Sequence, residues 1–228
     1  MADQSAGETD AGFLAGLDGT QTEAFLSGCR RRAFPAGTTL FFEGDPPDDV
    51  VLVEQGQVKI SVLALDGREI VLEVIEPGVL MGELSAIDGQ SRSASAVALT
   101  DCAVLIMPAT GFRSFLRDNP DVQWRLLVRV IADLRKQSHR TFEFGVGDAL
   151  GRVCRCLAEM ADRYGSDRDG HIELESPLSQ HDMAAWIGLS REAVVKALRT
   201  LRTLGLIENT GRSFVIDDID ALRTRADM

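Results

Sequence analysis

The chain has 228 residues, 45% of them apolar, with 24 Lys+Arg against 35 Asp+Glu and a net charge of −11. That apolar fraction can bury enough surface to offset chain entropy, which excludes an intrinsically disordered chain. With 21 Gly and 4 Cys the chain is neither collagen-like nor a disulfide scaffold, and no apolar run nears the ~20 residues of a membrane span, so a soluble protein is expected.

Met1 to Asp10 is polar and acidic, unlike a signal peptide, which is basic and then apolar. A cytoplasmic location and four free thiols are therefore expected. Behind this tail, Glu23–Cys29 reads as a short helix. From Ala33 to Met107 the pattern is short strands punctuated by glycine. The apolar clusters are Thr39–Phe42, Val50–Val53, Val58–Leu65, Ile70–Ile75, Ala94–Leu99 and Ala103–Met107. Asp66-Gly67 between two such runs is a hairpin signal, because glycine tolerates the positive φ of a tight turn. Regular short strands with glycine-rich turns imply an antiparallel barrel or sandwich, not alternating strands and helices.

At Asn119-Pro120 the period changes. Pro120 fits the first turn of a helix, with Asn119 as its cap, and no breaker follows until about Phe144. A heptad reading places Leu127, Leu134 and Thr141 at one seam position and Val130, Gln137 and Phe144 at the other. A narrow apolar seam on a long helix suits parallel pairing with a second copy. Trp124, Leu126 and Ile131 lie off that seam and would pack the helix on its own barrel. Gly145 and Gly147 then break the helix and form a hinge. Asp148 caps a further helix, Ala149–Tyr164, which ends in the loop Gly165 to Gly170.

The acidity is unevenly distributed. Residues 1–118 carry net −10, residues 119–145 net +2, and residues 146–228 net −3. Within the last segment, Ser190–Leu204 holds Arg191, Lys196, Arg199 and Arg202 against the single Glu192. Asp182–Ile187 reads as a short helix, Gly188 as its stop, and Ser190 as the start of the basic helix. Ala184 falls where a tight crossing needs a small side chain, and Val194 where the second helix needs an apolar one. This is helix-turn-helix spacing. Asn209 to Val215, around Gly211, then reads as a hairpin wing. Arg191 can bond a guanine edge bidentately and Glu192 can accept from cytosine N4. First-turn helix capping would also account for Glu192 alone.

A second informative stretch is Met81-Gly-Glu-Leu-Ser85 followed by Gln90-Ser-Arg92-Ser93-Ala94. Gly82 permits close backbone approach, and a helical turn at Leu84–Ile87 offers amides to an anion. Arg92 adds a charged fork and Ser93 a hydroxyl, which suits a phosphate. Glu83 cannot bind an anion but can accept from a sugar hydroxyl. The same spacing also fits a surface ion pair between Glu83 and Arg92.

The run from Pro77 to Ala94 resembles the phosphate-binding cassette of cyclic-nucleotide-binding domains. Leu178 to Glu192 resembles the DNA reader of the CRP/FNR transcription regulators. The resemblance covers about Phe25 to Leu222 in the family's domain order. It implies an α+β chain: an N-terminal antiparallel β-roll, jelly-roll-like, over residues 1–118; a dimerisation helix and hinge over 119–145; and a winged helix-turn-helix over 146–228. It further implies a homodimer that answers cAMP or cGMP, binds an inverted-repeat operator in double-stranded DNA and works with RNA polymerase.

At matching positions the resemblance gives Glu83 the ribose 2′-hydroxyl and Arg92 and Ser93 the cyclic phosphate. Gly82, Leu84, Ser85 and Ala94 belong to the same ligand set, and Gln137 and Ser138 match positions that meet the purine. Gln137 stands where threonine or serine is usual, and an amide can bond either purine edge. Arg191, Glu192 and Lys196 match base-contacting positions. Ser179, Gln180, His181 and Gly211 match phosphate-contacting ones; Ser190 opens the reading helix, and Arg199, like Arg202, faces either the DNA backbone or solvent. Iron–sulfur members cluster their cysteines near the N-terminus, whereas Cys29, Cys102, Cys154 and Cys156 are scattered here. His139, His171 and His181 form no haem ligand set. No nucleophile–base pair or metal cluster is visible, so no enzymatic activity and no bound cofactor are expected. The competing reading is a regulator of the same build that is effector-independent or answers another ligand.

Overall fold

The computed structural model describes residues 12–145 and 147–226, the side chains of 139–146 excepted. The chain divides into two compact units, one reaching to Val62 and resuming over Leu72–Arg135, the other made of Leu63–Val71 and the residues from Lys136 onward.

In the first unit, a turn of 3-10 helix at Phe13–Gly16 leads to α1, Gly19–Ser27. Asp18 accepts from the Gln21 amide at 2.8 Å and the Gln21 side chain accepts from the Asp18 amide, a reciprocal cap. The helix therefore starts earlier than Glu23. Its first turn carries no apolar signal, and only the cap marks it.

Strands β1 (Arg30–Phe34), β2 (Thr39–Phe41), β3 (Asp49–Gln55), β4 (Val58–Leu63), β5 (Glu69–Ile75), β6 (Leu80–Met81), β7 (Ser95–Ala98) and β8 (Cys102–Pro108) form two four-stranded sheets. Their orders are β1-β8-β3-β6 and β2-β7-β4-β5, with antiparallel registers throughout the described pairings. β3 and β8 are apolar on both faces. Val51, Val53, Val104 and Ile106 meet Val58, Ile75 and Ala96 in a core between the sheets. Val50, Leu52, Leu105 and Met107 face the other way, onto Phe25, Phe112, Leu116 and Leu126 of the helices. A strand covered on both sides reads as a continuous apolar run, which is how the sequence presents them. The Asp66-Gly67 turn forms as expected, with Gly67 at φ +81 and the Ala64 amide donating to Arg68 O at 2.8 Å.

Helix α2, Glu83–Asp88, follows β6. α3, Ala109–Asp118, follows β8, and α4 runs over Pro120–Gly145. Asn119 does not cap α4 with its side chain. Its Nδ2 donates instead to Phe115 O at 2.7 Å, at the end of α3, while its carbonyl accepts from the Gln123 amide at 3.1 Å. The last turn of α3 leaves carbonyls in need of donors, and the side-chain amide supplies one. Along α4, Val122 and Leu126 are buried, but Trp124, Leu127, Val128, Ile131 and Leu134 are exposed. Of the residues expected to pack α4 on its own barrel, Leu126 does so and Trp124 and Ile131 do not. Gly145 is still helical, so it does not break α4. Gly147 has φ +113, and the expected hinge falls on Val146, outside the described residues.

In the second unit, α5 (Ala149–Tyr164) begins at Asp148, whose carboxylate accepts from the Gly151 amide at 2.7 Å. The segment read as a plain loop is a hairpin, β9 (Ser166–Arg168) and β10 (His171–Glu175), turning through Asp169 at φ +53 and Gly170 at φ +86. Then come α6 (Gln180–Ile187), α7 (Arg191–Thr203), β11 (Ile207–Thr210), β12 (Ser213–Ile216) and α8 (Ile219–Ala226). The four strands form one sheet in the order β11-β12-β10-β9.

Candidate effector pocket and nucleic-acid interface

Arg92 is the centre of the first site. Its side chain is only 3% exposed, so its charge needs partners inside the protein. Nη1 donates to Gly82 O at 3.0 Å, and Nη2 donates to both the carbonyl and Oδ1 of Asp49 at 2.7 Å. The guanidinium lies 4.4 Å from the centroid of the Phe41 ring. Its Nε is buried and has no hydrogen-bond partner among the described residues. The ion pair allowed for between Glu83 and Arg92 is thus replaced by one between Asp49 and Arg92. Asp49 is the residue that sequence reasoning missed. Its only signal was an acidic side chain at the mouth of a buried strand.

Gly82 stands at φ +80 and opens α2, where a Cβ would collide with Arg92 Nη1. Glu83, the first residue of α2, is half-buried. Burial pushes its carboxyl up, against the pull of its own amide, Arg129 and Arg92. A half-buried carboxylate of raised pKa favours a neutral donor such as a sugar hydroxyl. Ser85 is buried and its hydroxyl donates to Ser91 O at 3.2 Å, which closes the loop between α2 and Arg92. Leu84 and Ser93 are exposed and Ala94 is buried. Gln137 and Ser138 are exposed on α4 and belong to the second unit.

The second site is the α6–α7 pair. Ser179 caps α6 in a reciprocal box with Asp182: the Ser179 hydroxyl accepts from the Asp182 amide at 3.2 Å and donates to the carboxylate at 2.6 Å. Ser179 therefore has its hydroxyl committed to the cap. Gly188 ends α6 at φ +65, and Ser190 opens α7 by accepting from the Ala193 amide at 3.2 Å. Ala184 and Val194 are buried, at the crossing and in the core that the spacing assigned to them. Arg191, Glu192, Lys196 and Arg199 are exposed along one face of α7, at i, i+1, i+5 and i+8. Hydrogen bonds from its own amide and from the Ser190 hydroxyl hold the Glu192 carboxyl below the usual range. Gln180 is half-buried and His181 is exposed at the start of α6, and Gly211, at φ +63, turns the β11–β12 wing.

Residues 31–119 match the family model for the cyclic nucleotide-binding domain, and residues 151–225 match the Crp-like helix-turn-helix domain. A CRP-like cAMP-activated global transcriptional regulator of Mycobacterium tuberculosis is 33% identical over 95% of this chain and 96% of its own length. The chain belongs to the CRP/FNR family of transcription regulators. Another family member, the cAMP-activated global transcriptional regulator CRP of Escherichia coli, is 28% identical over 85% of this chain and 92% of its own. The solved structure of the c-di-GMP responsive global regulator CLP of Xanthomonas campestris shares the fold, with a TM-score of 0.79 at 24% identity over 88% of this chain and 100% of that one. As a CRP/FNR member, the chain joins a cyclic-nucleotide-binding β-roll to a DNA-binding winged helix-turn-helix through a long helix. Among the described residues no helix is long and apolar enough to cross a membrane, and no group of three His, Cys, Asp or Glu could hold a metal ion.

Proposed function

We propose that this regulator is a cytoplasmic homodimer whose affinity for an inverted-repeat operator is raised by a 3′,5′-cyclic purine nucleotide, cAMP or cGMP. The observation that carries the reading is the Arg92 site. A buried guanidinium keeps an unpartnered Nε and is bonded through Nη1 to Gly82, the residue that opens α2, which supports one bound phosphate. Arg92 and Ser93 take that phosphate, with amides from Gly82, Leu84, Ser85 and Ala94. Glu83 takes the ribose hydroxyl, and Gln137 and Ser138 meet the purine. The exposed apolar stripe on α4 supports self-association. Dimer symmetry would set two α7 helices one turn of DNA apart, ~34 Å. Arg191, Glu192 and Lys196 then read base edges. Gln180, His181, Ser190, Arg199 and Gly211 hold phosphates, while the amide and hydroxyl of Ser179 stay in the α6 cap with Asp182, and the bound dimer recruits RNA polymerase.

One observation favours a second reading. The Arg92 fork is engaged by Asp49 of the same domain, as it would be in a cassette kept for structure. In that case the regulator is effector-independent or answers another ligand. Calorimetric titration of the full chain with cAMP, cGMP and c-di-GMP separates the two. Heat with cAMP or cGMP, together with a tighter DNA shift, is the expected result. No heat with either cyclic mononucleotide sinks the first reading, and heat with c-di-GMP alone names the other ligand.

A further inference from the structure

Helix α7 spends its inward face on the core: Val194, Ala197, Leu198 and Leu201 are all at or below 5% exposure. Val195, by contrast, is 42% exposed. Among the described residues of α7 it is the one large apolar side chain turned outward. A β-branched residue on a solvent face of a helix costs about half a kcal/mol relative to alanine and gains no packing in return. Folding therefore does not explain it.

Its position does. Arg191 and Glu192 stand four and three residues before it, Arg199 four after, and Lys196 beside it, so Val195 sits in the middle of the charged reading face. In the major groove the apolar feature of a base edge is the thymine 5-methyl group. We infer that Val195 is a specificity-determining residue that packs its γ-methyls on a thymine methyl in each half-site, next to the base pairs read by Arg191 and Glu192. This inference rests on the DNA-reading role proposed for α7.

The test begins with in vitro selection of duplexes by the full chain, with cAMP and with cGMP present. Each thymine of the selected site is then replaced in turn by deoxyuridine, which removes only the methyl group. Fluorescence anisotropy should show one thymine per half-site whose replacement weakens binding about fourfold, the factor for one buried methyl. Val195→Ser should bind the thymine site more weakly and no longer distinguish thymine from deoxyuridine. Its melting should be unchanged, because the side chain lies outside the core. Indifference of the wild type to every deoxyuridine, or undiminished discrimination by Val195→Ser, overturns the assignment. Recovery of no selected site instead overturns the reading role of α7, and that of Val195 with it.

Discussion

The backbone of Gly82 and the guanidinium of Arg92 leave no space for a side chain between them. Arg92 Nη1 donates to Gly82 O at 3.0 Å, and a Cβ on Gly82 would lie inside the contact radius of that same nitrogen. Gly82 also stands at φ +80, where an L-residue is strained by ~1–2 kcal/mol. Gly82→Ala should therefore lower the stability of the domain by about 2 kcal/mol and displace the fork. Thermal melting and nucleotide calorimetry should both register the change. A variant with wild-type melting and affinity would show that the arginine does not depend on this glycine.

Removing Arg92 should cost more than its ligand contact. The side chain is buried, and Asp49 beside it is 25% exposed. Arg92→Ala leaves that carboxylate without its partner, and a loss of about 3 kcal/mol is expected. Asp49→Ala in the same chain should recover part of it, because the stranded charge is then gone. Additive losses in this double-mutant cycle, read by denaturant melts, would mean the pair is not coupled.

Glu83 should be a liability for the fold at neutral pH. Burial raises its carboxyl, so the folded state holds the proton more tightly than the unfolded state. Its favourable contribution is complete below the unfolded pKa and is lost as pH rises through the folded value. Glu83→Gln should therefore melt at or above the wild-type temperature at pH 7, with the gain shrinking as the medium is acidified. Nucleotide affinity should fall in the same variant. A melting loss at pH 7 with affinity intact would remove Glu83 from the ligand set.

On α4, Leu134 is 66% exposed and lies seven residues from Leu127, on the stripe that also holds Ile131 and Trp124. Leu134→Asp should shift the protein from dimer to monomer in sedimentation velocity and leave the helical circular dichroism largely unchanged. A dimer that survives the substitution would place the interface on another surface.

Much of the DNA-binding unit was legible because punctuation residues set it. Asp148, Gly188 and Ser190 mark helix ends by side-chain caps and a positive φ, and the spacing of Ala184 and Val194 follows from the crossing between those marks. The central strands were legible because Val50–Val53 and Val104–Met107 are apolar on both faces. β1 was hidden, since Arg30, Arg31 and Arg32 read as a charged run although each pairs in register with β8. α3 was hidden behind Gly111 and its short length. The β9–β10 hairpin carries an Asp169-Gly170 turn signal, but Ser166–Arg168 before it is wholly polar and follows on α5, so no alternating apolar run marks the strand. In the pocket, the residue types of the cassette were readable but Asp49 was not: 43 positions separate it from Arg92, and only the fold joins them.

Arg92 is fastened at both ends by the protein itself. Its amide donates to Asp45 O at 2.9 Å and its carbonyl accepts from the Gly44 amide at 2.9 Å, while Gly82, Asp49 and Phe41 hold the guanidinium. The ~2 kcal/mol of rotamer entropy in an arginine side chain is therefore lost during folding rather than on association. A phosphate meets a pre-ordered socket, so the movement that couples the ligand to DNA lies elsewhere in the molecule. Substitutions that alter switching without altering phosphate affinity are thus to be sought away from this residue.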